Sequence, residues 1–219
     1  MYKKIILCII GMSGVGKDTV AKKFLERNKE FTKLVPVTTR PMRDGELDDE
    51  DYIFTDNDTF QSMIENNEIM EHRKYFVTKA DGEKDIWFYG NKYPESTYSL
   101  MIGTLESYEN MKKSCLPDKL EIYPIYLSIT DKERLYRLIN RENKMKNPNF
   151  REMIRRFYQD EIDFSEKRLD ESAILTDSYD NVFVQLNVDS TVSAIEKYIK
   201  NKMFGNKEGK WLCKNVKRN

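Results

Sequence analysis

Gly11-Met12-Ser13-Gly14-Val15-Gly16-Lys17-Asp18-Thr19 decides the reading of this chain because of what stands on either side of it. Ahead of it runs Ile5-Ile6-Leu7-Cys8-Ile9-Ile10, an unbroken apolar stretch that suits a strand buried on both faces. Behind it, Val20, Ala21, Phe24 and Leu25 recur at helical spacing and predict a helix over about 17–28. Strand, glycine-rich turn and helix form the setting in which GxxxxGK binds phosphate. The glycines let successive backbone N–H groups curl around a phosphate chain, and the helix N-terminus adds partial positive charge. Lys17 can then reach the β- and γ-phosphates of a nucleotide. A plain turn between strand and helix has no use for that lysine. The stretch reads as an ATP- or GTP-binding loop.

The bulk properties remove several classes. A chain of 219 residues suits one domain with a sizeable core, with room for small insertions. Its 37 basic and 37 acidic residues cancel, so no global field argues for nucleic acid or a membrane surface. Met1-Tyr2-Lys3-Lys4 before the apolar run faintly resembles a signal peptide, but cleavage there would destroy the loop. Cys8, Cys115 and Cys213 are far apart, form no zinc spacing and fit a reducing compartment. The expectation is a soluble cytoplasmic protein. Asp44 to Asp51 is an acidic run that reads as a solvated loop, and the basic tail from 204 to 219 reads as a frayed terminus.

Along the rest of the chain a turn-rich polar segment leads to Tyr52-Ile53-Phe54, and Asp56-Asn57-Asp58-Thr59 starts a helix with Phe60, Met63 and Ile64 on one face. Glu68 to Tyr75 reads as extended, and Asp81-Gly82 between flanking strands signals a hairpin. Ser99–Gly103 and Glu121–Ile129 are buried-strand candidates, each followed by a helical pattern, the second capped by Thr130 or Asp131. A long amphipathic helix is predicted from about Phe150 to Leu169, then a strand over 182–186 and a closing helix over 191–202. Alternating strands and helices imply an α/β fold with a parallel sheet covered on both faces.

A second constellation is Thr38-Thr39-Arg40-Pro41-Met42-Arg43-Asp44-Gly45-Glu46, followed by Asp51-Tyr52 and by Asn66-Asn67-Glu68-Ile69-Met70-Glu71. Arg40 and Arg43, three apart around a proline, can turn two guanidinium forks toward one phosphate, and Tyr52 and Tyr89 can add hydroxyl donors. With these residues the chain resembles the guanylate kinase family, whose members transfer the γ-phosphoryl of ATP to GMP or dGMP. The resemblance extends nearly to Lys202. It implies a P-loop NTPase-type parallel sheet flanked by helices (core 1–34 and 91–203), a mixed acceptor-binding insertion over 35–90, and a helical lid over about 137–149. By the family pattern Arg40, Arg43, Tyr52 and Tyr89 hold the acceptor phosphate and Glu71 meets the guanine edge. An ionised carboxylate only accepts hydrogen bonds, and guanine offers N1–H and an amine. Glu71 paired to Arg73 at the rim is the plain structural alternative. Arg137-Leu138-Ile139-Asn140-Arg141 matches the family's RLxxR, and Arg156 matches the arginine of the next helix, with Arg151 and Arg155 as near rivals for that role. Asn187 is the match for the adenine-contacting asparagine. ATP and Mg²⁺ are the implied donor and metal.

Four departures from the pattern bear on specificity. Asp18 replaces the hydroxyl residue that normally follows the loop lysine and serves Mg²⁺, a GKDT variant similar to that of some deoxynucleoside monophosphate kinases; Thr19 stands next to it. Pro36 falls where the family has a serine that donates to guanine. Thr104 takes the place nearest a key aspartate, with Glu106 the closest carboxylate. The segment between His72 and Tyr89 is longer than usual and lacks the customary GN. These changes touch base recognition more than phosphate recognition. The expectation is an ATP-dependent GMP/dGMP kinase acting on small nucleotides. A relaxed or different-base (deoxy)nucleoside monophosphate kinase and a catalytically inactive phospho-ligand binding module stay open as alternatives.

Overall fold

The computed structural model describes residues 3–43, 45–78, 83–114, 119–172, 174–175 and 180–204. Its first strand, β1 (Lys4–Ile10), is the apolar run before the glycine loop, and α1 (Lys17–Arg27) is the helix behind it. Around β1 lies a five-stranded parallel sheet containing β2 (Thr32–Lys33), β7 (Tyr98–Ile102), β8 (Leu120–Ser128) and β9 (Val182–Val184), in the order β2-β7-β1-β8-β9. β1 is flanked in register on both sides, with Leu7 opposite Leu100 and Tyr123. A central parallel strand has no solvent face, which is why its sequence is apolar throughout rather than alternating.

The pleat divides that run between two cores. Leu7 and Ile9 pack with Val20, Phe24 and, from α7 (Val188–Phe204), Ile195 and Ile199. Ile6, Cys8 and Ile10 face the other way, onto Met101 and onto Tyr108 and Met111 of α3 (Leu105–Ser114). Truncating Ile6 or Leu7, both fully buried, to alanine would cost about 2–5 kcal/mol in such a core.

A second sheet carries the insertion. It contains β3 (Val37–Thr38), β4 (Ile53–Phe54), β5 (Ile69–Thr78) and β6 (Lys84–Lys92), ordered β4-β3-β6-β5. It is mixed, with β3 parallel to β4 and antiparallel to β6. β5 and β6 form the expected hairpin, while its turn at Asp81-Gly82 lies outside the described residues. The helix α2 (Asn57–Glu65) covers this sheet through Phe60, which stacks on Phe88 at 5.4 Å. Asp56 caps it by accepting from the Thr59 N–H at 2.7 Å.

Two helices follow β8: α4 (Asp131–Glu142), capped by Thr130, and α5 (Phe150–Asp163), capped by Asn149. The single helix expected over 150–169 is two, because α5 ends at Asp163 with Phe164 as its C-cap and α6 (Glu166–Glu171) restarts after Ser165. The break lets Phe164 leave the helical path and stack on Tyr126 of β8 at 6.0 Å. The tail from 205 onward, with Trp211, Leu212 and Cys213, lies outside the described residues, as does Cys115. Among the described residues no helix is long and apolar enough to cross a membrane.

Candidate active site

The glycine loop closes at the end of β1 and hands over to α1 without a side-chain cap. Its N-cap, Gly16, has φ 97°, a left-handed conformation that L side chains rarely adopt. Gly11 is required for a different reason: a Cβ there would sit 2.5 Å from the Leu127 carbonyl oxygen. The first N–H groups of α1 thus have no side-chain acceptor in the capping position, which suits an anion. Lys17 lies back along the loop, donating to the carbonyls of Gly11 at 2.7 Å and Met12 at 3.1 Å. Burial pulls its ammonium below the usual lysine range, with the charges of Asp160 and Asp18 opposing.

One cavity of about 760 Å³ gathers most of the expected residues. Ser13, Gly14, Gly16, Lys17, Asp18 and Thr19 line it, together with Tyr52, Arg137, Arg141 and Arg156. Val15 turns its side chain into the core instead, while its carbonyl accepts from Arg137. Arg137, on α4, donates to that carbonyl at 3.2 Å and to the Gln185 side chain at 2.5 Å, so it ties the loop, α4 and the end of β9 together. Among the arginines of α5, Arg156 lines the cavity, whereas the exposed Arg155 has both its bonds to Glu152. Asn187 is not among the lining residues. Its side-chain oxygen accepts from the Ser190 N–H at 3.0 Å and caps α7, and Gln185 and Leu186 line the cavity beside it.

Sequence reasoning missed Arg134, the largest fully buried side chain among the described residues. It pairs with Glu161 at 2.6 Å, Asp131 at 2.8 Å and Asp160 at 3.3 Å, donates to the Ser13 carbonyl at 3.3 Å, and lies 4.4 Å from the Phe157 ring centroid. Asp160 in turn accepts from the Ser13 N–H at 2.7 Å. The phosphate-binding loop is therefore clamped to α5 by one arginine and one carboxylate. The acids at 131, 160 and 161 were the available signal, since a buried arginine needs such partners.

On the second sheet the charged cluster begins at Arg40. Its side chain is only 2% exposed, and it grips Glu46 through two bonds of 2.5 and 2.7 Å while lying 4.7 Å from the Tyr52 ring centroid. The acidic run is thus more than a solvated loop, because Glu46 also accepts from the Arg43 N–H at 2.8 Å. Burial pushes the Glu46 carboxyl up, but the hydrogen bonds and charges of Arg40 and Arg43 outweigh it and hold the group below its ordinary value. Arg43 is shifted down by burial and by the positive charges of Arg40 and Arg156. The positive charges of Arg40 and Arg156 on Arg43 make a place that a dianionic phosphate would relieve. Tyr89 stands between the two ends of this sheet, 6.1 Å from Tyr52 and 5.5 Å from Tyr75, ring centre to ring centre.

At the far end, Glu71 and Asn91 are paired across β5 and β6 and are hydrogen-bonded, with Asn91 Nδ2 donating to Glu71 Oε1. Arg73 Nε lies 3.2 Å from Glu71 Oε2, so the pairing with Arg73 exists, but the carboxylate is buried rather than at a rim. Burial raises the Glu71 pKa above 4.5, with Arg73 and Asn91 opposing. Thr104 caps α3 in a reciprocal pair with Ser107, and its hydroxyl also accepts from Arg73 at 3.0 Å.

A parallel sheet whose first strand runs through an uncapped glycine loop into a helix, with arginines lining the facing cavity, defines a P-loop nucleotide-binding protein. A guanylate kinase family model matches residues 2–85. Guanylate kinase of Prochlorococcus marinus is 30% identical over 202 residues, covering 90% of this chain and 97% of its own. The enzymes of that name from Novosphingobium aromaticivorans and Lactococcus lactis are 47% identical over 64 residues and 41% over 71, matches spanning only 29% and 35% of their lengths. The crystal structure of guanylate kinase from Anaplasma phagocytophilum superposes with a TM-score of 0.59 at 21% identity, over 93% of this chain and 88% of that one. The chain belongs to the guanylate kinase family.

Proposed function

We propose that this chain transfers the γ-phosphoryl of ATP to GMP or dGMP, giving ADP and the nucleoside diphosphate. The observation that carries the reading is the meeting of Lys17, Arg137, Arg141, Arg156 and Tyr52 on one cavity. The loop and Lys17 take the donor phosphates. Arg40, Arg43, Tyr52 and Tyr89 hold the acceptor phosphate, with Glu46 fixing Arg40. Phosphoryl transfer spreads negative charge over the equatorial oxygens, so convergent arginines stabilise the transition state by position and charge. The acceptor phosphate is already ionised near neutral pH, so no side chain need remove a proton. This suits a chain whose only histidine, His72, is exposed.

Asp18 and Thr19 line the cavity beside the loop, and their oxygens suit a hard cation. Mg²⁺ bound there would neutralise charge on the donor phosphates. Closing α4 and α5 over both nucleotides excludes water and protects ATP from hydrolysis.

The test is chromatography of purified chain with ATP, Mg²⁺ and GMP. GDP and ADP formed in equal amounts support the reading. GMP bound with no GDP formed would make the chain a binding module instead.

A further inference from the structure

β5 presents alternate residues to one face, and Glu71, Arg73 and Tyr75 share the face that meets the start of α3. Arg73 donates to Thr104 Oγ1 at 3.0 Å, and Tyr75 donates to Glu106 Oε2 at 2.7 Å. The Arg73 side chain is only 8% exposed and Glu71 1%. Between them hydrogen bonding is incomplete. Arg73 Nη2 reaches Glu71 Oε1 at 3.4 Å, while Nε and Oε2, although 3.2 Å apart, are not aligned for a hydrogen bond. Arg73 Nε, Glu71 Oε2 and Asn91 Oδ1 are all buried without a hydrogen-bond partner. A buried donor and a buried acceptor left side by side are costly unless something else satisfies them.

Resting on the kinase reading above, we infer that Arg73 reads the base together with Glu71: Glu71 accepts from N1–H and the amine of guanine, and Arg73 donates to O6. Guanine carries these donors and this acceptor on adjacent positions of one edge, so a carboxylate beside a guanidinium is complementary to it. Pro36 has no side-chain donor, the Thr104 hydroxyl accepts from Arg73 and from the Ser107 N–H and keeps its own O–H, and Asn91 spends one Nδ2 hydrogen on Glu71 Oε1. Arg73 differs from both in bringing a full positive charge and an unpartnered Nε beside Glu71. Arg73 also places a positive charge beside Glu71, which favours its ionised, accepting form. On this reading the donor to O6 stands on the strand that carries the acceptor, β5.

The experiment compares GMP with 6-thioguanosine 5′-monophosphate, which keeps N1–H and the amine but has a weak acceptor at position 6. Binding by calorimetry and kcat/KM are both measured, for the wild type, Arg73→Met and Arg73→Lys. The wild type should favour GMP by about 10-fold or more. Arg73→Met should bring the ratio near one by weakening GMP about 10- to 100-fold, mainly in KM, and Arg73→Lys should fall between. Equal losses for both nucleotides in Arg73→Met would overturn the inference, since Arg73 would then only position Glu71. So would stronger GMP binding in that variant, which would make Arg73 a plug, or a wild-type ratio near one. If Arg73→Met does not fold, Arg73→Lys decides on the same ratio. Wild-type chain that binds both nucleotides but forms no GDP would defeat the kinase reading while the binding ratio still judges Arg73.

Discussion

Lys17 and Glu71 are both charged side chains drawn out of water, and burial pushes both toward their neutral forms. Their surroundings differ. Lys17 rests on the carbonyls of Gly11 and Met12, backbone atoms of its own loop. Glu71 rests on side chains, Asn91 and Arg73, and Arg73 is held in turn by Thr104. A site made of backbone is set by conformation, so its glycines and lysine specify it locally. A site made of side chains from β5, β6 and the start of α3 can be rewritten by one substitution in any of them. That fits a loop that keeps its glycines and Lys17 and departs only at Asp18, while the region around Glu71 departs at both Pro36 and Thr104.

The sharpest way to break this comparison is Lys17→Ala. It should lower kcat on the order of 10³-fold and leave GMP affinity nearly unchanged by calorimetry. Loss of both together would mean the two ends are not independent. Next is the clamp behind the loop. Arg134→Met strands Asp160 and Glu161, and should destabilise the fold by about 3 kcal/mol, read as a lower Tm in thermal melts. An unchanged Tm would deny Arg134 its structural role.

The base end has a pH signature of its own. Glu71 must be ionised to accept from guanine, and its pKa is raised above 4.5. The ratio of wild type to Glu71→Gln in kcat/KM for GMP should therefore fall as pH drops, beginning above 4.5, and stay level at higher pH. The second ionisation of the GMP phosphate, near pH 6, is common to both proteins and cancels in the ratio. A total change of about 10-fold is expected, and a flat ratio would show that Glu71 does not need its charge. The smallest effect belongs to Asn187. Asn187→Ala should cost about 1 kcal/mol of stability through loss of the α7 cap, with KM for ATP nearly unchanged. A large rise in that KM would instead give Asn187 the adenine contact.

What could be read from the sequence follows the same division. The strand, loop and first helix were legible because an apolar run, glycines and helical spacing act over neighbouring residues. The α5 and α6 break was not, because Phe164 leaves the helix to meet Tyr126, a partner 38 positions away that no local pattern contains. Glu46 was hidden inside an acidic run, and only the buried Arg40 distinguishes it from its solvated neighbours. Arg134 looked like any helix arginine until Asp160 and Glu161 came to it from α5. Arg73 was visible as a partner for Glu71, but its link to Thr104 depends on β5 meeting the start of α3.

The most direct test of the account is ADP release from ATP and Mg²⁺ against GMP, dGMP, AMP, dAMP, CMP, dCMP, UMP and dTMP. The account predicts turnover with GMP and dGMP far above the other six, since only guanine offers two adjacent donors to Glu71 beside an acceptor for Arg73. Comparable turnover of adenine or pyrimidine nucleotides, or none with any acceptor while ATP still binds, would contradict it.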